Sequence, residues 1–251
     1  MHVISPPPDG KVIKNRFSEK KGLKYAAEYR IIKKSHLNII PTDFTEKMKG
    51  AISMKESFGV FCVGLTSGKT VILDGAHLRL ADGVYSNIFA TEVPIGVPMK
   101  VEDMLCDIHI IGQNGALLDG GIHNGLTEKT ANKDGRPHVL NNTFVYLRGV
   151  RGFSVKNLRI VNPRYWGLTF VCCSDGEISD IDFTAANDAP NQDGIDLRVG
   201  CHDIVIRNIT GSTGDDTVAL TGLLGYTGQQ QMLEGMLPDI HDVVIENIVS
   251  A

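Results

Sequence analysis

The chain has 251 residues, with 25 Lys and Arg against 29 Asp and Glu and a formal charge of −4; nucleic-acid binding, which shows as a basic excess, is not expected. Its apolar runs reach only four to six residues, far short of the ~20 that span a bilayer, so no membrane partner is expected either. With 42% hydrophobic residues, 6% aromatics and 27 glycines, disorder is excluded, and short strands joined by tight turns fit better than a helical bundle.

Residues 1–40 carry nine Lys and Arg against three Asp and Glu, which leaves −10 on residues 41–251. They read as a basic N-terminal extension, either solvated or docked on an anion or acidic partner. The opening residues show no basic segment followed by an apolar stretch, as a secretory leader would. From Pro41 the pattern changes. Residues 41–56 read as an amphipathic helix, N-capped by Thr42 or Asp43, with Phe44, Met48 and Ile52 on one face. Strands are expected at 69–73, 77–80 and 107–112. The five cysteines, Cys62, Cys106, Cys172, Cys173 and Cys201, lack metal-type spacing, so zinc is not expected and buried thiols are.

Further along, four stretches share one pattern: 153–160, 177–183, 204–210 and 243–249. Each alternates apolar and polar residues and sets Asn or Asp just before an aliphatic residue: Asn157-Leu158, Asp180-Ile181, Asn208-Ile209 and Asn247-Ile248. The aliphatic positions lie 23, 28 and 39 residues apart. One such unit cannot bury its own apolar face, so neighbours must stack. Short strands with Asn and Gly between them, one turn of chain per unit, describe an all-β, single-stranded parallel β-helix over residues 41–251, with coils ~4.8 Å apart. The repeated Asn is expected to form a ladder whose amides bond the next coil's backbone. The helix at 41–56 would cap the first coil. The last repeat strand has no cap after it, so self-association through that open end is an expectation. Cys173 and Cys201, 28 apart like Ile181 and Ile209, should stack as thiols rather than bond.

Two acidic motifs stand out, Asn191-Gln192-Asp193-Gly194-Ile195-Asp196-Leu197 and Gly214-Asp215-Asp216-Thr217-Val218-Ala219-Leu220. Superposing Ile195 on Val218 brings Asp193 onto Asp216, 23 residues or one coil away, with Gln192 beside Asp215. Trp166 takes the same place one coil earlier. Strict alternation would bury Asp193 with Ile195 and Leu197, so Asp193 must sit in a bend before the strand, and Asp196 should point outward. Three acids within one or two strand spacings repel one another, and at least one should keep its proton near neutrality. A protonated acid beside ionised partners is the requirement of inverting glycoside hydrolysis. The alternative is that both motifs are turn formers at corners.

These residues resemble the polygalacturonase family of glycoside hydrolases, family 28. Asn191-Gln192-Asp193 is similar to the family's Asn-Thr-Asp and Gly214-Asp215-Asp216 to its Gly-Asp-Asp; Gly135-Arg136-Pro137, residues 145–150 and 162–166 resemble its run into the site. The likeness spans about residues 65–251. It implies a right-handed parallel β-helix acting on pectic polysaccharide by inverting hydrolysis of α-1,4-galacturonosyl or related linkages, with no cofactor and no metal. Asp215 would be the general acid, Asp193 and Asp216 would hold the attacking water, and Asn191 would support the site or contact sugar. Two features depart from the family. Gln192 stands in place of Thr, and the downstream Gly-His-Gly and Arg-x-Lys motifs are missing. His241 sits at the repeat position of His202 and reads as a corner residue. The resemblance therefore implies the front part of such an enzyme, lacking its last coils and weakly active or inactive. Many relatives are secreted; without a visible signal the expectation here is cytoplasmic, with secretion as the alternative.

Two further readings stay open: a Ca²⁺-dependent pectate-lyase-like eliminase, and a non-catalytic β-helix that binds polysaccharide or serves a structural role. Trp166 would then be a stacking platform, though core packing is the commoner use of one Trp. The segment 222–238 follows the second acidic motif and reads either as a cleft wall or as an elongated loop.

Overall fold

The computed structural model describes residues 51–54, 58–60, 62–225 and 231–250, and its regular structure is almost entirely strand. Chain order maps directly onto coils. The first holds β1 (Ala51–Met54), β2 (Phe58–Val60) and β3 (Val63–Leu65). The second holds β4 (Thr70–Asp74), β5 (His77–Leu80) and β6 (Phe89–Thr91), and the third β7 (Leu105–Gln113), β8 (Leu117–Asp119) and β9 (Val145–Arg148). In the next coils the first two strands fuse, giving β10 (Val150–Val161) with β11 (Leu168–Val171), β12 (Ser174–Thr184) with β13 (Ile195–Arg198) and β14 (His202–Ser212) with β15 (Val218–Thr221). β16 (His241–Ser250) opens the last.

Every paired strand is parallel to its neighbour. One sheet follows the order β1-β4-β7-β10-β12-β14-β16, with β2, β5 and β8 joined to it; the other runs β15-β13-β11-β9-β6-β3. β10 pairs with β7 through its first half and with β8 through its last three residues, so the larger sheet bends into two faces. The fold is a right-handed parallel β-helix, and the repeat spacings are its registers: Leu158 on Ile181, Ile181 on Ile209, Ile209 on Ile248.

The bend explains the repeated Asn and Asp. Asn157, Asp180, Asn208 and Asn247 all have φ between 55° and 58°, a left-handed conformation these short polar side chains tolerate better than other non-glycine residues. One such residue shifts the alternation, so that Phe153 and Val155 before it and Leu158 and Ile160 after it all point inward and are buried. Ile178, Ile181 and Phe183, then Ile204, Ile206 and Ile209, continue those stacks. The ladder itself differs from expectation. Asn247 Nδ2 donates to Asn208 Oδ1 at 3.1 Å and Asn208 Nδ2 to Asp180 Oδ1 at 2.9 Å, side chain to side chain rather than to backbone. Equivalent left-handed residues project in line, so each amide meets the carbonyl of the preceding one. Asp180, an acceptor only, ends the donation.

Two other expectations change. Residues 51–54 are strand, paired in parallel with Thr70–Leu73, so the helix expected over 41–56 does not extend to its predicted end; an available sheet edge overrides the helical spacing. Residues 1–50, including the basic extension, lie outside the described residues. Cys173 and Cys201 are free, buried and in adjacent register, as expected, and Cys172 is buried too. Cys62 and Cys106 are exposed instead; Cys106 lies in β7 before its buried alternation begins.

β9, β11 and β13 of the smaller sheet are covered on both faces. Its inner side chains, among them Val145, Leu168, Phe170, Ile195 and Leu197, join the main core. Outside, a second apolar cluster packs Leu126, Val139 and Leu140, from the long β8–β9 connection, and Leu233 against Tyr146, Trp166 and Cys172. Arg148 Nε donates to Gln231 O at 2.8 Å, Tyr146 OH to Gln231 Oε1 at 2.9 Å, and Glu234 N to Met99 O at 2.8 Å. The described part of the 222–238 segment is thus anchored over β9, whereas the acidic motifs lie at the starts of β13 and β15.

Candidate active site

Leu168 pairs with Ile195 and Ile195 with Val218. That register sets Trp166, Asp193 and Asp216 in one column ahead of β11, β13 and β15, with Gln192 beside Asp215. The backbone confirms it: Gly167 N donates to Asp193 O, Gly194 N to Asp216 O and Gly214 N to Gln192 O, each at 2.9 Å. The column accepts such close approach because of its glycines. A Cβ at Gly194 would lie 2.6 Å from Thr217 O, and one at Gly214 would lie 2.7 Å from Gln192 Cβ. The first neighbour is backbone and cannot step aside. Gly194→Ala is therefore expected to destabilise the chain by about 1–3 kcal/mol, read from urea unfolding; an unchanged midpoint would show that the coils are not held that tightly.

Asp193 does precede its strand and is 5% exposed, with Oδ1 lacking any hydrogen-bond partner. Burial and the facing charges of Asp215 and Asp216 push its carboxyl up to about 7. Asp215 and Asp216 are exposed, and among the described residues their carboxylates make no hydrogen bond. All three predicted acids are therefore brought together, and it is the buried Asp193 whose carboxyl is raised toward neutrality.

Asp196 is the residue that sequence reasoning undervalued. It points outward, as alternation requires, yet it is 0% exposed because the outer cluster covers that face. Neither carboxyl oxygen has a hydrogen-bond partner, and its nearest cation, Arg198 Nη1, is 3.7 Å from Oδ1. Burial first and the charge of Asp193 second hold this carboxyl well above the usual range, against the pull of Arg198. No spacing in the sequence signals that cover. The Arg198 guanidinium lies 4.2 Å from the Trp166 ring centroid. Trp166 is 5% exposed and packs on Tyr165 with centroids 4.7 Å apart, so core packing is its role rather than an open platform.

Gln192 is 1% exposed and donates from Nε2 to Pro163 O at 2.8 Å and to Asp188 Oδ1 at 3.3 Å, tying its coil to the one before. Asn191 is half-buried, with φ of 59°. His241 stacks on His202, rings 4.9 Å apart and 6° from parallel, each imidazole bonded to its following Asp; both are corner residues. A buried acid with a raised pKa beside two exposed carboxylates can move a proton and orient a water across a bound linkage.

Residues 60–226 match the family described as glycosyl hydrolases family 28. A search of curated proteins finds no significant match. Among solved structures the chain is similar to a family 28 exopolygalacturonase of Yersinia enterocolitica, with a TM-score of 0.60, 14% identity and 82% of this chain aligned to 44% of that one. A candidate glycosyl hydrolase of Parabacteroides merdae aligns over 83% of this chain and 84% of that one, with a TM-score of 0.57 and 13% identity. A hyperthermoactive exopolygalacturonase of Thermotoga maritima aligns with a TM-score of 0.52 and 17% identity, over 82% of this chain and 60% of that one. At those identities the structural likenesses establish the fold alone, and the chain spans only about half the length of the two polygalacturonases.

Proposed function

We propose, for a chain that belongs to glycosyl hydrolase family 28, that it cleaves α-1,4-galacturonosyl or related pectic linkages by inverting hydrolysis. The observation that carries this reading is the three-carboxylate column in which Asp193 is pushed up to about 7 beside the exposed Asp215 and Asp216. Inversion needs one acid for the leaving oxygen and carboxylate help for a water on the opposite side. Asp215, exposed and with its side chain unbound, is the acid that meets the leaving oxygen. Asp193 and Asp216, one coil apart, hold the water, and Asn191 supports the sugar.

The raised carboxyl of Asp193 stores the proton in the free protein. With sugar bound the proton passes to Asp215, which gives it to the leaving oxygen. Asp193, now ionised, takes a proton from the attacking water and so regains its starting form. Since Asp193 retains the stored proton up to about 7, kcat/KM is expected to fall as pH rises through about 7. Stability follows the same proton. The folded pKa lies above the 3.8 of an unperturbed Asp, so between those pH values the folded chain binds more protons than the unfolded one, and stability falls with rising pH. A melting temperature that climbs steadily from pH 4 to 7 would contradict the raised Asp193.

The function is tested on polygalacturonate with the products followed by NMR. Saturated reducing ends of inverted anomeric configuration, formed equally well with a chelator present, support the proposal. Unsaturated, chelator-sensitive products would make the protein an eliminase. Polysaccharide binding that survives replacement of all three aspartates, with no cleavage, would make it a binding module.

A further inference from the structure

Four aspartates, Asp193, Asp196, Asp215 and Asp216, crowd the starts of β13 and β15, and a sugar carrying its own carboxylate would meet repulsion there. Arg198 is the cation set against that charge. It lies two residues beyond Asp196 on the same face of β13, close enough to Asp193 to oppose its rise. Its guanidinium rests 4.2 Å from the Trp166 ring centroid, and 15% of its side chain remains open. Stacking of this kind orients the planar fork without using its N–H groups. Among the described residues its side chain makes no hydrogen bond; the one polar approach is the 3.7 Å contact with Asp196. That contact is too long for a hydrogen bond, and Asp196, fully buried, has neither oxygen bonded, so the donors of the guanidinium stay unspent. A fixed guanidinium with unused paired donors is a receptor for a carboxylate.

We propose that Arg198 grips the carboxylate of an acidic sugar next to the Asp193–Asp215–Asp216 column and so selects uronates over esterified or neutral sugars. The proposal rests on the reading above only in taking a saccharide as the ligand. It gives the site a substrate-gripping cation from within β13.

Trp166 is the chain's single tryptophan, so its fluorescence reports directly on a ligand at Arg198. The full chain is titrated with trigalacturonate, its methyl ester and neutral galactotriose, as wild type, R198Q and R198K. The expected result is saturable quenching or enhancement by the acidic sugar at a Kd at least tenfold below that of the ester. R198Q should raise the acidic sugar's Kd tenfold or more, to that of the ester; R198K should keep the preference with affinity reduced several-fold. No response of the wild type to the acid, unchanged affinity in R198Q, or equal loss of all three ligands would overturn the proposal. If R198Q fails to fold by circular dichroism, equal affinity of folded R198K for acid and ester does so. Binding is read separately from cleavage. Arg198-dependent binding without hydrolysis would refute the hydrolase and leave this subsite standing, whereas hydrolysis indifferent to R198Q would do the reverse.

Discussion

Asp215→Asn is expected to lower kcat on polygalacturonate by about 10²- to 10⁴-fold, the usual contribution of a positioned general acid, while the fold is left intact. The side chain is exposed, and among the described residues it bonds nothing; only its backbone carbonyl is used, accepting from Thr213 Oγ1 at 2.7 Å. Exposed substitutions of this kind change stability within about 0.5 kcal/mol. The amide also removes the larger of the two charges that raise Asp193, so the pH-dependence of stability should flatten even as activity is lost. Asp193→Asn would differ in a recognisable way. It replaces a buried, charge-crowded carboxyl with a neutral group, and should raise the melting temperature above pH 7 while abolishing turnover. Steady-state kinetics with calorimetry separate the two variants. Near-normal turnover in Asp215→Asn would remove Asp215 from the acid's role.

Much of this site was legible because a β-helix converts sequence spacing into spatial neighbourhood. Once Ile195 is laid on Val218, the chain's own hydrogen bonding fixes Asp193 against Asp216. The Asn and Asp positions carried similar information, since each left-handed residue marks where alternation shifts. What stayed hidden depended on the connections, whose paths no repeat constrains. Alternation places Asp196 outward, but whether outward means solvent is decided by side chains from other coils, Tyr165 of the outer cluster among them. The stacking of Arg198 on Trp166 is concealed for the same reason, since those residues lie 32 positions apart on different coils. At the N-terminal side, the helical spacing that reaches Ile52 lost to strand pairing over 51–54, where β4 supplied an edge.

The connections also contain the residue whose loss should cost the fold most. Arg164 is 1% exposed and carries four backbone carbonyls: Gly120 O at 2.5 Å from Nε, Val84 O at 2.8 Å from Nη1, and Ala81 O at 2.9 Å and Leu80 O at 3.3 Å from Nη2. It therefore ties the chain leaving β5 and β8 to the coil that carries Trp166. Burial pulls its pKa down to about 10, so the group remains cationic at neutral pH. Arg164→Met fills a similar volume but supplies no donor, leaving those carbonyls unsatisfied at about 1–3 kcal/mol for each one cut off from water. A loss of at least ~3–5 kcal/mol is expected, comparable with breaking a buried ion pair. Arg164→Lys tests the geometry behind that figure. An ammonium keeps the charge and three donors but not the planar fork, so it should fall between wild type and Met. Arg164 stands two residues before Trp166, so Trp166 fluorescence should shift in the Lys variant at urea concentrations below its global unfolding midpoint. A Lys variant within 0.5 kcal/mol of wild type, a gap no larger than that of an ordinary surface change, would mean that charge alone, not the fork, holds these connections to the coil.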